Sequence, residues 1–298
     1  MRRIVIETVA AFWNDECPRL AAALAFYLVF ALPALLGFTV LVTATIVDRE
    51  AVAARLSAHL EEAMGPAQAQ QVLQALAQAR QPQQSWWAAL AGAAVLVLSA
   101  TGALQELQTA LNRAWGVEPD PRQGRFAFLW KRLVSLGLLL AMAALLLVSL
   151  VASWALADLG VWIDPYLPDW LSSRSIWIAN GLLSLALVTI LTAGVFKFMP
   201  DAEVAWTDVW VGAAVTALLF VAGKIGLSLY FTTAAPASAY GAAGSLALVL
   251  LWVYYSAQAL LLGAEFTEVW ARHRGRIIGP EPGAKPAAEN VRSASAGS

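Results

Sequence analysis

A chain of 298 residues that is 60% apolar and only 13% charged, at a mean hydropathy of +0.66, lies outside the range of soluble domains, where about a quarter of residues are charged. The net charge of −1 says little, because in a membrane protein the placement of charge carries more than its sum. One cysteine, Cys17, excludes an internal disulfide and a multi-cysteine metal site, and two histidines, His59 and His273, argue against a histidine-rich metal centre.

The fold class expected is all-α: a polytopic membrane protein of six transmembrane helices, with an amphipathic helical hairpin outside the membrane between spans 1 and 2. Residues 1–13 begin with Arg2 and Arg3 and set Ile4, Val5, Val9, Phe12 and Trp13 about a helical turn apart, the pattern of a short helix on a membrane surface. Asn14-Asp15-Glu16-Cys17-Pro18 interrupts the apolar run where the core of a signal peptide would continue, so cleavage is not expected. Asp15 is placed to cap the next helix, whose first turn tolerates Pro18 because backbone donors lack partners there. The first span covers 20–47. Its alanines, Ala21, Ala22, Ala23 and Ala25, allow another helix to come close in lipid. Pro33 removes one backbone hydrogen bond and is expected to kink the span, as a packing adaptation or as a hinge.

The insertion at 49–85 places Val52, Leu56, His59, Leu60, Ala63 and Met64 on one helical face, breaks at Gly65-Pro66, and resumes with Val72, Leu73, Leu76 and Ala79. His59 falls on or beside the apolar face, where a packed histidine is a better reading than a ligand. The second span, 86–110, opens on the interfacial pair Trp86-Trp87, and its helix should continue through Glu106, Asn112 and Arg113 to Trp115. Spans three to six follow at 130–157, 176–199, 207–231 and 242–268. Beyond them the segment 275–298, rich in Pro, Gly, Ser and Ala, has the composition of a disordered tail.

Charge orients these spans. The N-terminus and the second-to-third, fourth-to-fifth and C-terminal connections carry three, five, one and five Lys or Arg; the opposite side has Arg49, Arg55, Arg80 and Arg174. By the positive-inside rule both termini are cytoplasmic. An even number of spans is required for that.

The chain resembles the YihY/virulence factor BrkB family of bacterial inner-membrane proteins, once labelled ribonuclease BN. The resemblance runs nearly the whole length. It is carried by Ala21 to Tyr27 followed by Pro33, by Leu111-Asn112-Arg113-Ala114-Trp115, by Phe198-Met199-Pro200-Asp201 leading to Trp206 and Gly212-Ala213, and by Lys224, Tyr230 and Tyr240-Gly241. Leu251-Trp252-Val253-Tyr254-Tyr255, ending at Gly263-Ala264-Glu265, is its most specific block. The resemblance implies a six-helix integral membrane protein whose activity is poorly defined.

The residues do not bear out the ribonuclease label. A ribonuclease needs acid–base groups or metal-binding carboxylates converging beside a basic surface, whereas the cytoplasmic carboxylates Asp15-Glu16, Glu118, Asp120, Asp201, Glu203 and Asp208 are scattered. The basic run from Arg113 to Arg132 suits contact with anionic lipid. No enzymatic activity, cofactor, metal or nucleic-acid partner is therefore expected, and membrane lipids are the expected partners. Two functions remain: a transporter or lipid-handling protein, and a structural scaffold for a protein partner not identifiable from sequence. Small-residue faces at Gly212-Thr216 and at Gly223 with Gly226-Leu227 suit packing within one chain or between copies in a homo-oligomer.

Lys224 discriminates between them. It lies roughly 10 Å below Phe231 along the fifth span, deep enough to be costly unless paired, wetted or snorkelling. We expect two polar zones: an inner one of Glu106, Asn112, Gln258 and Glu265, and an outer one around Lys224, Tyr230 and Tyr240. On a cavity between helices these would suit an amphiphile with a charged head. No GxxxxGK[ST] loop is present to energise pumping by the chain's own ATPase.

Overall fold

A computed structural model describes residues 1–29, 57, 69–70, 73, 86–120, 137, 169–234 and 242–287. Over these residues the chain is mostly helical. Helices α1 (Arg2–Asn14), α2 (Cys17–Val29), α3 (Trp86–Ala114), α4 (Asp169–Phe198), α5 (Trp206–Ala234) and α6 (Ala242–His273) are accompanied by short strands β1 (Val117–Pro119), β2 (Ala202–Glu203), β3 (Gly279–Pro280) and β4 (Ala284–Pro286). Among the described residues three stretches are long and apolar enough to cross a membrane: Gly181–Phe198, Trp206–Leu227 and Val249–His273. Pro33, Tyr240, His59 and most of the 20–47, 49–85 and 130–157 segments lie outside the described residues.

The chain forms two compact units, Met1–Ala114 with Leu219–Glu265, and Trp115–Leu218 with Phe266–Ser298. In the first, α1 buries Ile4, Thr8 and Phe12, one residue per turn, and leaves Val5, Val9 and Trp13 exposed beside them. The apolar set read from the sequence is thus divided, with one stripe packed on protein and the other left exposed. The α1–α2 corner places its cap one residue later than expected. The carbonyl of Glu16, at a φ of 54°, accepts the first bonds of α2 from Arg19 and Leu20, while Asp15 ends α1. Ala21, Leu24 and Ala25 of α2 are buried and Ala22 is exposed, so the small residues do mark a close helix contact.

The core cluster of this unit joins Ala25, Val249, Trp252 and Val253 to Ala69, with Phe220, Leu227 and Leu73 packed on it. Phe220 and Trp252 meet edge to face, their centroids 5.1 Å apart. Of the expected hairpin at 49–85, Ala69 and Leu73 are seen in or against this cluster, and most of the rest lies outside the described residues.

In the second unit the expected disordered tail is corrected for residues up to 287. Gly275, at φ 71°, ends α6 as the left-handed residue that glycine adopts without steric cost. The amide of Arg276 returns to the Ala271 carbonyl and that of Gly275 to Arg272, both at 3.0 Å, forming a Schellman cap. The chain then runs antiparallel to two connections. Gly279–Pro280 pairs with Ala202–Glu203, and Ala284–Pro286 pairs with Val117–Pro119. Prolines suit these two-stranded edges, where one side of each strand needs no donor. Gly283, at φ 99°, makes the turn between them. A composition that reads as disorder is here that of an edge strap, an exception to the all-α expectation; 288–298 lie outside the described residues.

Candidate functional site

Within the first unit Glu265 of α6 is a buried carboxyl group, 1% exposed. Its Oε1 accepts a hydrogen bond of 3.3 Å from the Cys17 thiol, itself fully buried at the start of α2. Burial, with the Glu265 carboxylate a lesser contribution, pushes the Cys17 thiol up from its ordinary value. The sulfur therefore stays protonated, acting as a donor and not as a nucleophile. At the surface beside it, Glu16 accepts from Arg19 at 2.6 Å and has Arg113 of α3 at 4.0 Å. The hydrogen bond and charge of Arg19 hold the Glu16 carboxyl below its ordinary value. One corner thus collects groups from α2, α3 and α6, with a buried neutral donor inside and ion pairs at its rim.

Further along the same unit, Tyr255 of α6 lays its ring on Gly223 of α5 and donates from its hydroxyl to the Leu219 carbonyl at 2.7 Å. Any side chain at 223 would occupy the ring's position, so glycine is required there by contact. Lys224 is the next residue and is half-buried. Other hydroxyls in apolar helices satisfy themselves: Ser256 donates to the Trp252 carbonyl and Thr216 to that of Gly212.

Among the residues singled out from sequence, Glu265 and Asn112 are buried, while Glu106, Gln258 and Lys224 are half-buried. Tyr230 falls within α5. The contact that organises this corner involves Cys17, which the sequence reading used only to exclude a disulfide and a multi-cysteine metal site. Nothing in a single sequence signals a pair separated by 248 positions.

The second unit holds another buried carboxylate. Asp208, in the first turn of α5, is 1% exposed and suits the positive end of the helix dipole. Its Oδ2 lies 3.3 Å from Nη1 of Arg276, which also donates to the Thr207 hydroxyl. The Schellman cap at Gly275 aims Arg276 here. Oδ1 of Asp208 and Nε1 of Trp270 are buried without a hydrogen-bond partner among the described residues. The α4–α5 corner beside them is compact: Lys197 donates to the Val204 carbonyl at 2.8 Å and sits 5.8 Å from the Trp206 ring centroid, and Phe198 meets the same ring at 6.0 Å. Trp115 stacks edge-on against Phe196 at 5.7 Å. Among the described residues no group of three His, Cys, Asp or Glu could hold a metal ion.

Long apolar helices with ionisable groups buried at their ends define a helical membrane protein. The chain belongs to the virulence factor BrkB family, whose model matches residues 8–289 and so takes in the strap. It is similar to the UPF0761 membrane protein YihY of Salmonella newport (strain SL254), Salmonella heidelberg (strain SL476) and Salmonella typhi, each 33% identical over 190 residues. The match covers 61% of this chain and 59% of each relative, less than two thirds of their length. No solved structure matches.

Proposed function

We propose that the protein is a six-span protein of the bacterial inner membrane, with both termini cytoplasmic, that moves or handles a lipid or other amphiphile without an ATPase of its own. The observation that carries this reading is Glu265. A carboxylate 1% exposed within a stretch apolar enough to span a membrane is expensive to retain, and such groups ordinarily serve a pathway. Half-buried Lys224, on the helix that Tyr255 packs against, would receive an anionic head group, with apolar helix faces covering the chains. Tyr230, Tyr240, Gln258, Glu106 and Asn112 would line the route, and Pro33 would be its hinge.

The test is redistribution of a fluorescent phospholipid between the leaflets of vesicles containing purified protein. The unmutated protein is expected to accelerate it, and Glu265→Gln and Lys224→Gln to return it to the protein-free rate. Unmutated protein no faster than empty vesicles, across a panel of head groups, would leave the scaffold role.

A further inference from the structure

We propose that the second unit carries a resident binding site for one anionic phospholipid on the outer surface of α4 and α5, separate from the Lys224 pathway and independent of it. The site is a groove of about 500 Å³ lined by Leu182, Leu185, Ala186, Thr189, Ile190 and Trp210. At 100° per residue the five positions on α4 fall within an arc of about 140°, and Lys197 falls inside that arc two turns beyond Ile190. The groove therefore runs towards a cation on its own helix face. The remaining wall leads to the same place. Trp210 lies 6.5 Å from Trp206, its neighbour one turn earlier, and Trp206 carries the Lys197 ammonium 5.8 Å from its centroid.

This arrangement matches a lipid in dimension and chemistry. Lys197 to Leu182 spans roughly 22 Å of helix, about the thickness of one leaflet with its head-group layer. The far end is apolar and its hydroxyl is already used, because Thr189 donates to the Leu185 carbonyl at 2.7 Å. At the near end Trp206, Trp210 and Phe198 are each about half exposed, as aromatic side chains are in the interfacial layer. An ammonium held there by one carbonyl retains two donors for a phosphate oxygen. Acyl chain along Leu182 to Ile190, glycerol against the tryptophans and phosphate on Lys197 use every part of the surface.

The test is lipid retention by the purified, delipidated full-length protein, read by native mass spectrometry after exposure to phosphatidylglycerol or to phosphatidylcholine with the same chains. The expected result is preferential retention of one phosphatidylglycerol. Lys197→Gln should lower it about fivefold while leaving phosphatidylcholine unchanged, Lys197→Arg should preserve it, and Ala186→Trp should lower retention of both lipids. Phosphatidylglycerol bearing a photoreactive group on one chain, applied to the unmutated protein, should label peptides containing 182–190 or 206–210. Unchanged retention in Lys197→Gln, or labelling confined to other peptides, would overturn the site. Since retention needs no transport, loss of the pathway described above would leave these results unaltered.

Discussion

Glu265 in the first unit and Asp208 in the second are both carboxylates with 1% of their surface exposed, and a thiol meets the one where a guanidinium meets the other. Asp208 stands at a helix start and faces a guanidinium delivered by the capped end of α6, an arrangement that compensates a buried negative charge electrostatically. Glu265 sits inside an apolar helix and accepts from a thiol, a weak and neutral donor. The first is a clip that fixes the strap to α5. The second ties the start of α2 to α6. Variants that separate fastening from function are therefore the informative ones.

The largest effect is expected where neither charge is touched. Gly223→Leu puts a side chain into the Tyr255 ring at the α5–α6 contact, and overpacking of this kind costs about 3 kcal/mol or more. Monodisperse protein in detergent should fall steeply, and Tyr255→Ala in the same chain should recover part of it by opening the space. Recovery to no degree would mean that the ring does not set the spacing of these helices.

Breaking the clip comes next. Arg276→Ala leaves the Asp208 charge buried, at a cost of roughly 2–3 kcal/mol after discount for the arginine's own 39% exposure. Asp208→Asn, which removes the charge and leaves Arg276 to water, should cost less, and the double variant should cost less than the two singles added together. Melting temperature in detergent reads all three. With the clip open, limited proteolysis should cut between 276 and 287 first, since β3 and β4 are two- and three-residue ladders with little else to hold them.

How far the sequence carried the reading follows the same division. The helices were legible because a long apolar run is a local property. Expected starts at 86, 207 and 242 stand against observed starts at Trp86, Trp206 and Ala242. The buried alanines of α2 and the glycine of α5 were legible as small-residue contacts, though their partners were not. Lost from view were pairings between distant segments: Cys17 with Glu265, Arg276 with Asp208, and the strap with two connections. The tail was misjudged for a specific reason. Proline and glycine weaken an isolated strand but suit one that pairs on a single edge and turns at Gly283.

A smaller effect belongs to the thiol. Cys17→Ala removes the donor to Glu265 and is expected to cost about 1–2 kcal/mol, with Cys17→Ser closer to the parent because a hydroxyl can donate in its place. In folded protein a maleimide should fail to label Cys17 at pH 8, since the sulfur is both enclosed and held in its thiol form, and labelling should appear only on denaturation. Ready labelling of the folded protein would show the corner to be open to water.

The smallest effect is at the rim of that corner, where the sign of the pH dependence distinguishes an ion pair from packing. The folded Glu16 carboxyl is held below its ordinary value of 4.5, so its contribution is present above that pH and is lost as acid protonates it below. Glu16→Gln should therefore melt slightly earlier than the parent at pH 7, and the difference should shrink to nothing as the pH falls past 4.5 towards the lowered value. A difference that persists in acid would assign the role of Glu16 to the packing of its side chain and not to its ion pairs with Arg19 and Arg113. Glu16→Gly relieves the φ of 54° but loses the same ion pairs, so its melting temperature relative to the parent should rise as the pH falls below 4.5.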